Sequence, residues 1–349
     1  MEKFYGIQYL RGAAATFVIL YHSMVMVAVA PFFSKPIGDF GVDIFFVISG
    51  FVMWVTTESR DKSIFSFWLS RIIRVAPLYW LFTLVIVVAA VLVPSLFFNS
   101  RGIEPDFLIK SLLFIPAHNP DVGDITPVYT IGWTLVYEMF FYALFGVSLL
   151  LRNPKHRLVL IAILLCSLAL LGVALSPEGA LGKTYTSPII LEFLFGVLVG
   201  YTRSYWAGLG KSATAIFVLG SIAALVAVDA DLSQRAFSYG LPALFLVGGF
   251  VSLEKYVRLR LSKIALLFGE ASYSLYLSHP ISQRIWYVMF VAVFGQVATM
   301  QLAIGYAAGS VVAGLFGGLI CYLVVEKFLL KVARTITPGR LKTGAPIEG

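Results

Sequence analysis

The sequence predicts an all-α polytopic integral membrane protein, with about ten transmembrane helices and both the N- and C-termini cytoplasmic. Three observations predict it. Charged residues make up only 13% of the 349 and hydrophobic residues 59%, whereas a soluble protein carries roughly a quarter charged residues. Ten apolar runs are long enough to cross a bilayer. The basic residues are also divided unevenly between the connecting loops. With a cytoplasmic N-terminus, only Lys35, Arg101, Lys110, Lys183, Arg235 and Arg284 fall outside, and the other 20 of the 26 fall inside, as the positive-inside rule expects. That skew accounts for the net charge of +8 without a nucleic-acid partner, and it places the chain in the inner (plasma) membrane.

The runs follow in order. The first, 12–30, belongs to the stretch YLRGAAATFVILYHSM, with Arg11 at one end and His22 well inside. Eleven residues at ~100° each bring the two side chains within ~20° of one face, ~16 Å apart along the axis. VAVAPFF, which follows, resembles a signal-peptidase site. A cleavable apolar region is shorter and follows a basic segment, whereas Arg11 abuts about nineteen apolar residues, so this helix is expected to be retained.

The second run, 40–56, contains GVDIFFVISGF, with Asp43 in its outer half and Ser49–Gly50 near its middle. WLSRIIRVAPLYW then carries Arg71 and Arg74, spaced i, i+3 on one face, just ahead of Pro77, which suits the first turn of the helix over 76–98. Phe107–Ala117 is too short to span and is interrupted by Lys110, which predicts an amphipathic or re-entrant piece. The run 129–151 opens with YTIGWTLVYEMFFY and puts Trp133, Glu138 and Tyr142 within the apolar zone. Runs 158–175, 186–202, 212–228 and 236–253 follow.

Within 264–294, the stretch GEASYSLYLSHPISQ sets His279 near the middle, with Tyr276 and Ser272 on the same side. Pro280 is expected to break or kink that helix, which a membrane tolerates where the break lines a cavity. The run 302–325 closes a single transmembrane domain over 1–335, with a short basic cytoplasmic tail at 336–349.

Ionisable groups inside a membrane cost several kcal/mol each and are candidates for function. Arg11, His22, Asp43, Arg71, Arg74, Glu138 and His279 together outline a cytoplasm-facing pocket with His22 at its end. Each has a plainer role open to it. Glu138 could neutralise Arg11 or a histidine, and Asp43 could pair helices. Ser272 and Ser274 suit interhelical hydrogen bonds, as Glu192 and Glu270 suit helix pairing. Cys166 and Cys321 sit in apolar runs and pack there. No metal is expected, because His118 and His156 lie in separate loops on opposite faces.

Five motifs occur in one order: Arg11–ten residues–His22; Gly-Val-Asp-Ile-Phe-Phe running to Ser49-Gly50-Phe51; Arg71-x-x-Arg74-x-x-Pro77; Trp133-x-Leu135-x-x-Glu138; and SYSLYLSH closing on His279. This set resembles the membrane-bound acyltransferase 3 family, in its stand-alone exopolysaccharide O-acetyltransferase branch. The resemblance implies transfer of an acyl group, usually acetyl from acetyl-CoA, to a hydroxyl of a cell-surface carbohydrate, an exopolysaccharide or its lipid-linked precursor. Membrane lipid and other polysaccharide-assembly proteins are the further partners expected. Many members carry an extra esterase-like domain. Here only a basic tail follows Glu326, so direct transfer within the membrane domain is expected.

That chemistry needs a base, stabilisation of an oxyanion and a site for a polyanionic co-substrate. An imidazole titrating near pH ~6.5 suits the base, and His22 is assigned that role. Glu138 or Asp43 would hold its tautomer. Arg71 and Arg74, with Arg11, would meet the phosphates of acetyl-CoA, since guanidinium forks fit them. Tyr276 and His279, with Trp133 and Tyr142, would hold the acceptor or the oxyanion. Two alternatives stay open. His279 could be the base, or the protein could be a transporter or flippase of a sugar-containing solute with His22, Glu138 and His279 as a proton relay.

Overall fold

The computed structural model describes residues 4–26, 28–58, 63–92, 103–228, 234–256 and 263–336. Lys3, Arg60, Lys62, Arg101, Arg258, Arg260, Arg340 and Lys342, which enter the charge count above, lie outside them, as does the tail from 337 on. Among the described residues the chain is helical, with no strand. Helices α1 (Tyr5–Val25), α2 (Gly41–Thr57) and α3 (Ile64–Leu92) are followed by a short α4 (Pro105–Leu112). Then come α5 (Trp133–Ser148), α6 (Pro154–Leu175), α7 (Ala180–Tyr185), α8 (Leu191–Tyr201), α9 (Arg203–Gly208) and α10 (Lys211–Ala227). Helices α11 (Leu241–Leu253), α12 (Lys263–Glu270), α13 (Ser272–Phe294), α14 (Met300–Ile320) and α15 (Lys327–Ile336) complete the chain.

Six helical stretches, at 64–92, 130–148, 154–175, 180–201, 236–253 and 300–333, are long and apolar enough to cross a membrane. Helices α2 and α10 are apolar but shorter, at 17 residues each. Helices α1 and α13 have the length, at 21 and 23 residues. Their composition is less apolar because they carry Arg11, His22, His279 and Gln283. The helices that fall short on composition are the two that hold His22 and His279.

Two expectations about prolines are corrected. Pro77 does not open a helix. Helix α3 begins at Ile64, and Pro77 lies in its interior. The earlier turns are held by Phe67, which is buried against Tyr142 and Phe145 of α5 at 6.3 and 5.5 Å between ring centroids. Nor does Pro280 break its helix. The run over 264–294 divides at Ala271 instead, between α12 and α13, and α13 continues through Pro280. Proline has no amide hydrogen for the carbonyl four residues earlier, here that of Tyr276. The His279 ring supplies the missing donor, its Nδ1 lying 2.6 Å from that oxygen.

The piece expected at Phe107–Ala117 is the short helix α4, which leans on α3. The Tyr79 hydroxyl donates to the Ser111 carbonyl at 3.0 Å, and the Trp80 indole to that of Leu112 at 2.8 Å.

Helix α1 sits at the centre, packed by α2, α11, α12, α13 and α14. Helices α2 and α8 approach closely. A β-carbon on Gly50 would lie 2.0 Å from the Phe193 carbonyl oxygen, and one on Gly196 1.9 Å from that of Val47. Small residues permit such backbone contact between membrane helices. Gly196→Ala is therefore expected to force the pair apart and cost about 1–3 kcal/mol. The measurement is the thermal midpoint in detergent, and a midpoint equal to wild type would mean that the helices separate freely.

Candidate active site

A cavity of about 120 Å³ lies between α1, α2, α3, α5 and α13. It is smaller than a site that encloses a whole ligand, typically ~300–1,000 Å³, so it would admit only one end of a large substrate. Arg11, Arg71, Arg74, Glu138 and Tyr142 line it, with Ser49 and Tyr276. Six of the candidate site residues, Tyr276 among them, thus converge from four helices.

Glu138 is held by its neighbours. One carboxylate oxygen accepts from the Tyr142 hydroxyl at 2.5 Å and from Ser49 Oγ at 3.1 Å. Arg71 faces the same tyrosine. Arg74 forms an ion pair with Glu326 and lies over the Tyr273 ring, 5.4 Å from its centroid. Arg11 is only 8% exposed, and its Nη1 is buried without a hydrogen-bond partner among the described residues. A buried guanidinium nitrogen left unmatched is costly unless something binds it. Three guanidinium groups against the carboxylates of Glu138 and Glu326 give the cavity a net positive charge, which suits an anion.

The histidines form a second cluster behind Tyr276. The Tyr276 ring borders the cavity and lies 6.1 Å from that of His279, which in turn lies 4.8 Å from that of His22. Each imidazole is oriented by its own helix. His22 Nδ1 lies 2.8 Å from the Val18 carbonyl, and His279 Nδ1 bonds that of Tyr276. Carbonyl oxygens only accept, so both Nδ1 atoms carry hydrogen, and in the neutral rings both Nε2 atoms hold lone pairs. His279 Nε2 is buried and without a partner among the described residues.

Neither carboxylate expected to orient His22 reaches it. Glu138 lies in the arginine cavity, and Asp43 is engaged elsewhere. Asp43 is fully buried and takes a bidentate pair of bonds from Arg235, at 2.8 and 2.7 Å, with Asp39 alongside at 3.3 Å. Breaking a buried pair of this kind costs about 3–5 kcal/mol. Arg235→Ala should therefore lower the thermal midpoint sharply, and Asp43→Asn added to it should recover part of the loss. A double variant worse than the single would show that the carboxylate has a further partner.

Trp133 is also set apart. It packs against Phe46 and Tyr137, and it lines a small pocket with Pro116 and Pro127 rather than the arginine cavity. The Tyr276 hydroxyl is already engaged, donating to the Ile131 carbonyl at 2.8 Å and lying 2.7 Å from Thr134 Oγ1. Its ring, not its hydroxyl, is what it offers a ligand.

Two residues not singled out join the arrangement. Gln283, one turn beyond His279, donates to the Ile19 carbonyl at 2.9 Å and ties α13 to the histidine helix α1. Glu326 pairs with Arg74 from the far end of the chain. Among the described residues no group of three or more metal-ligating side chains forms.

A family model described as an acyltransferase domain matches residues 4–323. The exopolysaccharide production protein ExoZ of Rhizobium meliloti (strain 1021) is 35% identical over 320 residues, which is 87% of this chain and 93% of that protein. The acyltransferase MdmB of Streptomyces mycarofaciens is 24% identical across 70% of this chain and 67% of its own. The peptidoglycan O-acetyltransferase OatA of Listeria monocytogenes is 31% identical over 172 residues, 44% of this chain and 26% of that protein. No solved structure matches.

Proposed function

The chain belongs to the membrane acyltransferase family, and from that membership we propose that it transfers acetyl from acetyl-CoA to a hydroxyl of an exopolysaccharide or of its lipid-linked precursor. The observation that carries this reading is the buried, net-positive cavity that ends at Tyr276, with the paired histidines behind it. The names of two relatives, an exopolysaccharide production protein and a peptidoglycan O-acetyltransferase, supply the acceptor class.

In this reading residues 1–335 form one domain that crosses the inner (plasma) membrane ten times, and 336–349 form a cytoplasmic tail. Both termini and the arginine end of the cavity face the cytoplasm, where acetyl-CoA is made. Arg11, Arg71 and Arg74 meet its phosphates, with the thioester directed toward the histidines. His22 Nε2 takes the proton of the acceptor hydroxyl as the oxygen attacks the thioester carbonyl. The new C–O bond forms, the C–S bond breaks, and the thiolate of CoA recovers the proton from the imidazolium. No metal takes part. Tyr276 and His279 border the acceptor, and Glu138 fixes Tyr142 and balances the arginines.

The test uses membrane vesicles that contain the protein, labelled acetyl-CoA and the host carbohydrate fraction. Label appearing in carbohydrate only when the protein is present is the expected result. No label across a panel of acceptors, with solute movement independent of acetyl-CoA, would replace this reading with transport.

A further inference from the structure

We infer that Glu326 is the positioning residue for Arg74. It holds that guanidinium in place for an anionic acyl donor while standing outside the cavity itself. The inference rests on the proposed donor-binding role of the arginines.

The helix carrying Glu326 is built to turn this side chain inward. The inward positions of α14 run through Ala303, Tyr306, Ser310, Gly314 and Gly318. On an unbroken α-helix, Glu326 would come out ~140° away from Ala303, because 23 residues at ~100° leave that remainder. The chain instead takes a wider, π-type turn over Cys321–Glu326 before α15. Such single turns recur at functional sites because they re-aim one side chain. Leu323 and Val324 within that turn are exposed, and Glu326 is only 2% exposed.

Once inside, the carboxylate is fully engaged. One oxygen pairs with Arg74 Nη1, and the other accepts from Ser274 Oγ at 2.5 Å. Arg74 is confined from a second side by the Tyr273 ring. That ring is pinned in turn, because the Tyr273 hydroxyl donates to the Val75 carbonyl at 2.6 Å, one residue beyond Arg74 on the same helix. Arg11 has no such ion pair among the described residues. Arg74 is thus the preset member of the set, with its remaining N–H donors left for a ligand. Since Ser274 lies on α13, one carboxylate ties the donor arginine to the helix that carries Tyr276 and His279. Glu326 also lies three residues beyond the span matched by the family model, which ends at 323.

The test is a double-mutant cycle on the purified full chain, with KM for acetyl-CoA and kcat measured separately. Glu326→Gln is expected to raise the donor KM ~10-fold, a mid-range coupling for groups in one charge network, with little change in kcat. Arg74→Gln should raise it at least as much, and the double variant no further than Arg74→Gln alone. A wild-type KM in Glu326→Gln beside a raised KM in Arg74→Gln would overturn this inference and leave the donor reading standing. A wild-type KM in Arg74→Gln would overturn both. Should Glu326→Gln not fold, Ser274→Ala tests the same carboxylate. It is expected to raise the donor KM by a smaller factor, and no rise there would overturn the inference.

Discussion

His22→Ala is expected to slow acetyl transfer by ~10²–10⁴-fold, the usual contribution of a positioned base. The effect should fall on kcat, because Arg11 lies ~16 Å from His22 along α1 and Arg71 and Arg74 stand on α3, in a cavity that His22 does not line. His22 is already aimed for the task. Its Nδ1 is fixed to the Val18 carbonyl, so the other nitrogen is the one left to accept a proton. A donor KM close to wild type would confirm that only chemistry is lost. Equal rates in the two proteins would remove His22 as the base and transfer the role to His279, whose ring is its direct neighbour.

Arg11→Gln should produce two changes of opposite sign. The donor KM is expected to rise roughly 10–100-fold, corresponding to one hydrogen bond to a charged group at about 1.5–3 kcal/mol. The protein without substrate should become more heat-stable, because a buried guanidinium nitrogen with no partner among the described residues is removed. Thermal midpoints with and without acetyl-CoA measure both. Wild type should gain more from the ligand than the variant does. A variant that is less stable without ligand and unchanged in KM would make Arg11 a structural residue.

Much of this arrangement was legible in the sequence, for a physical reason. A membrane makes each ionisable group expensive, so Arg11, Arg71, Arg74 and Glu138 stand out against their apolar surroundings, and the structure brings them to one cavity. Depth and helical face can be read from spacing. Partners cannot. Asp43 has the same sequence signature as Glu138, yet its charge is met by Arg235, 192 residues away. Trp133 lies within one helix of Glu138 but turns to another pocket.

Glu326 was missed because it follows an apolar run directly and precedes Lys327, the pattern of a helix end. Only the π-type turn shows it facing inward, and nothing in the local composition announces that turn. Pro77 and Pro280 mislead for a related reason. The rule that proline ends a helix concerns the backbone alone, whereas here side chains carry the helix past it.

Pro280 has a chemical consequence that reaches beyond the shape of its helix. With an ordinary residue at 280, the Tyr276 carbonyl would receive a backbone hydrogen, and the His279 ring would be free to present either nitrogen to its surroundings. The missing amide makes that carbonyl a fixed address for Nδ1, and so decides which edge of the imidazole stays bare. A ring of ambiguous polarity becomes a pure acceptor, set beside a second acceptor on α1. A hydroxyl that reaches such a ring can donate to it, whereas a group without a hydrogen finds no donor there. The proline therefore decides which edge of the His279 imidazole an incoming hydroxyl would meet.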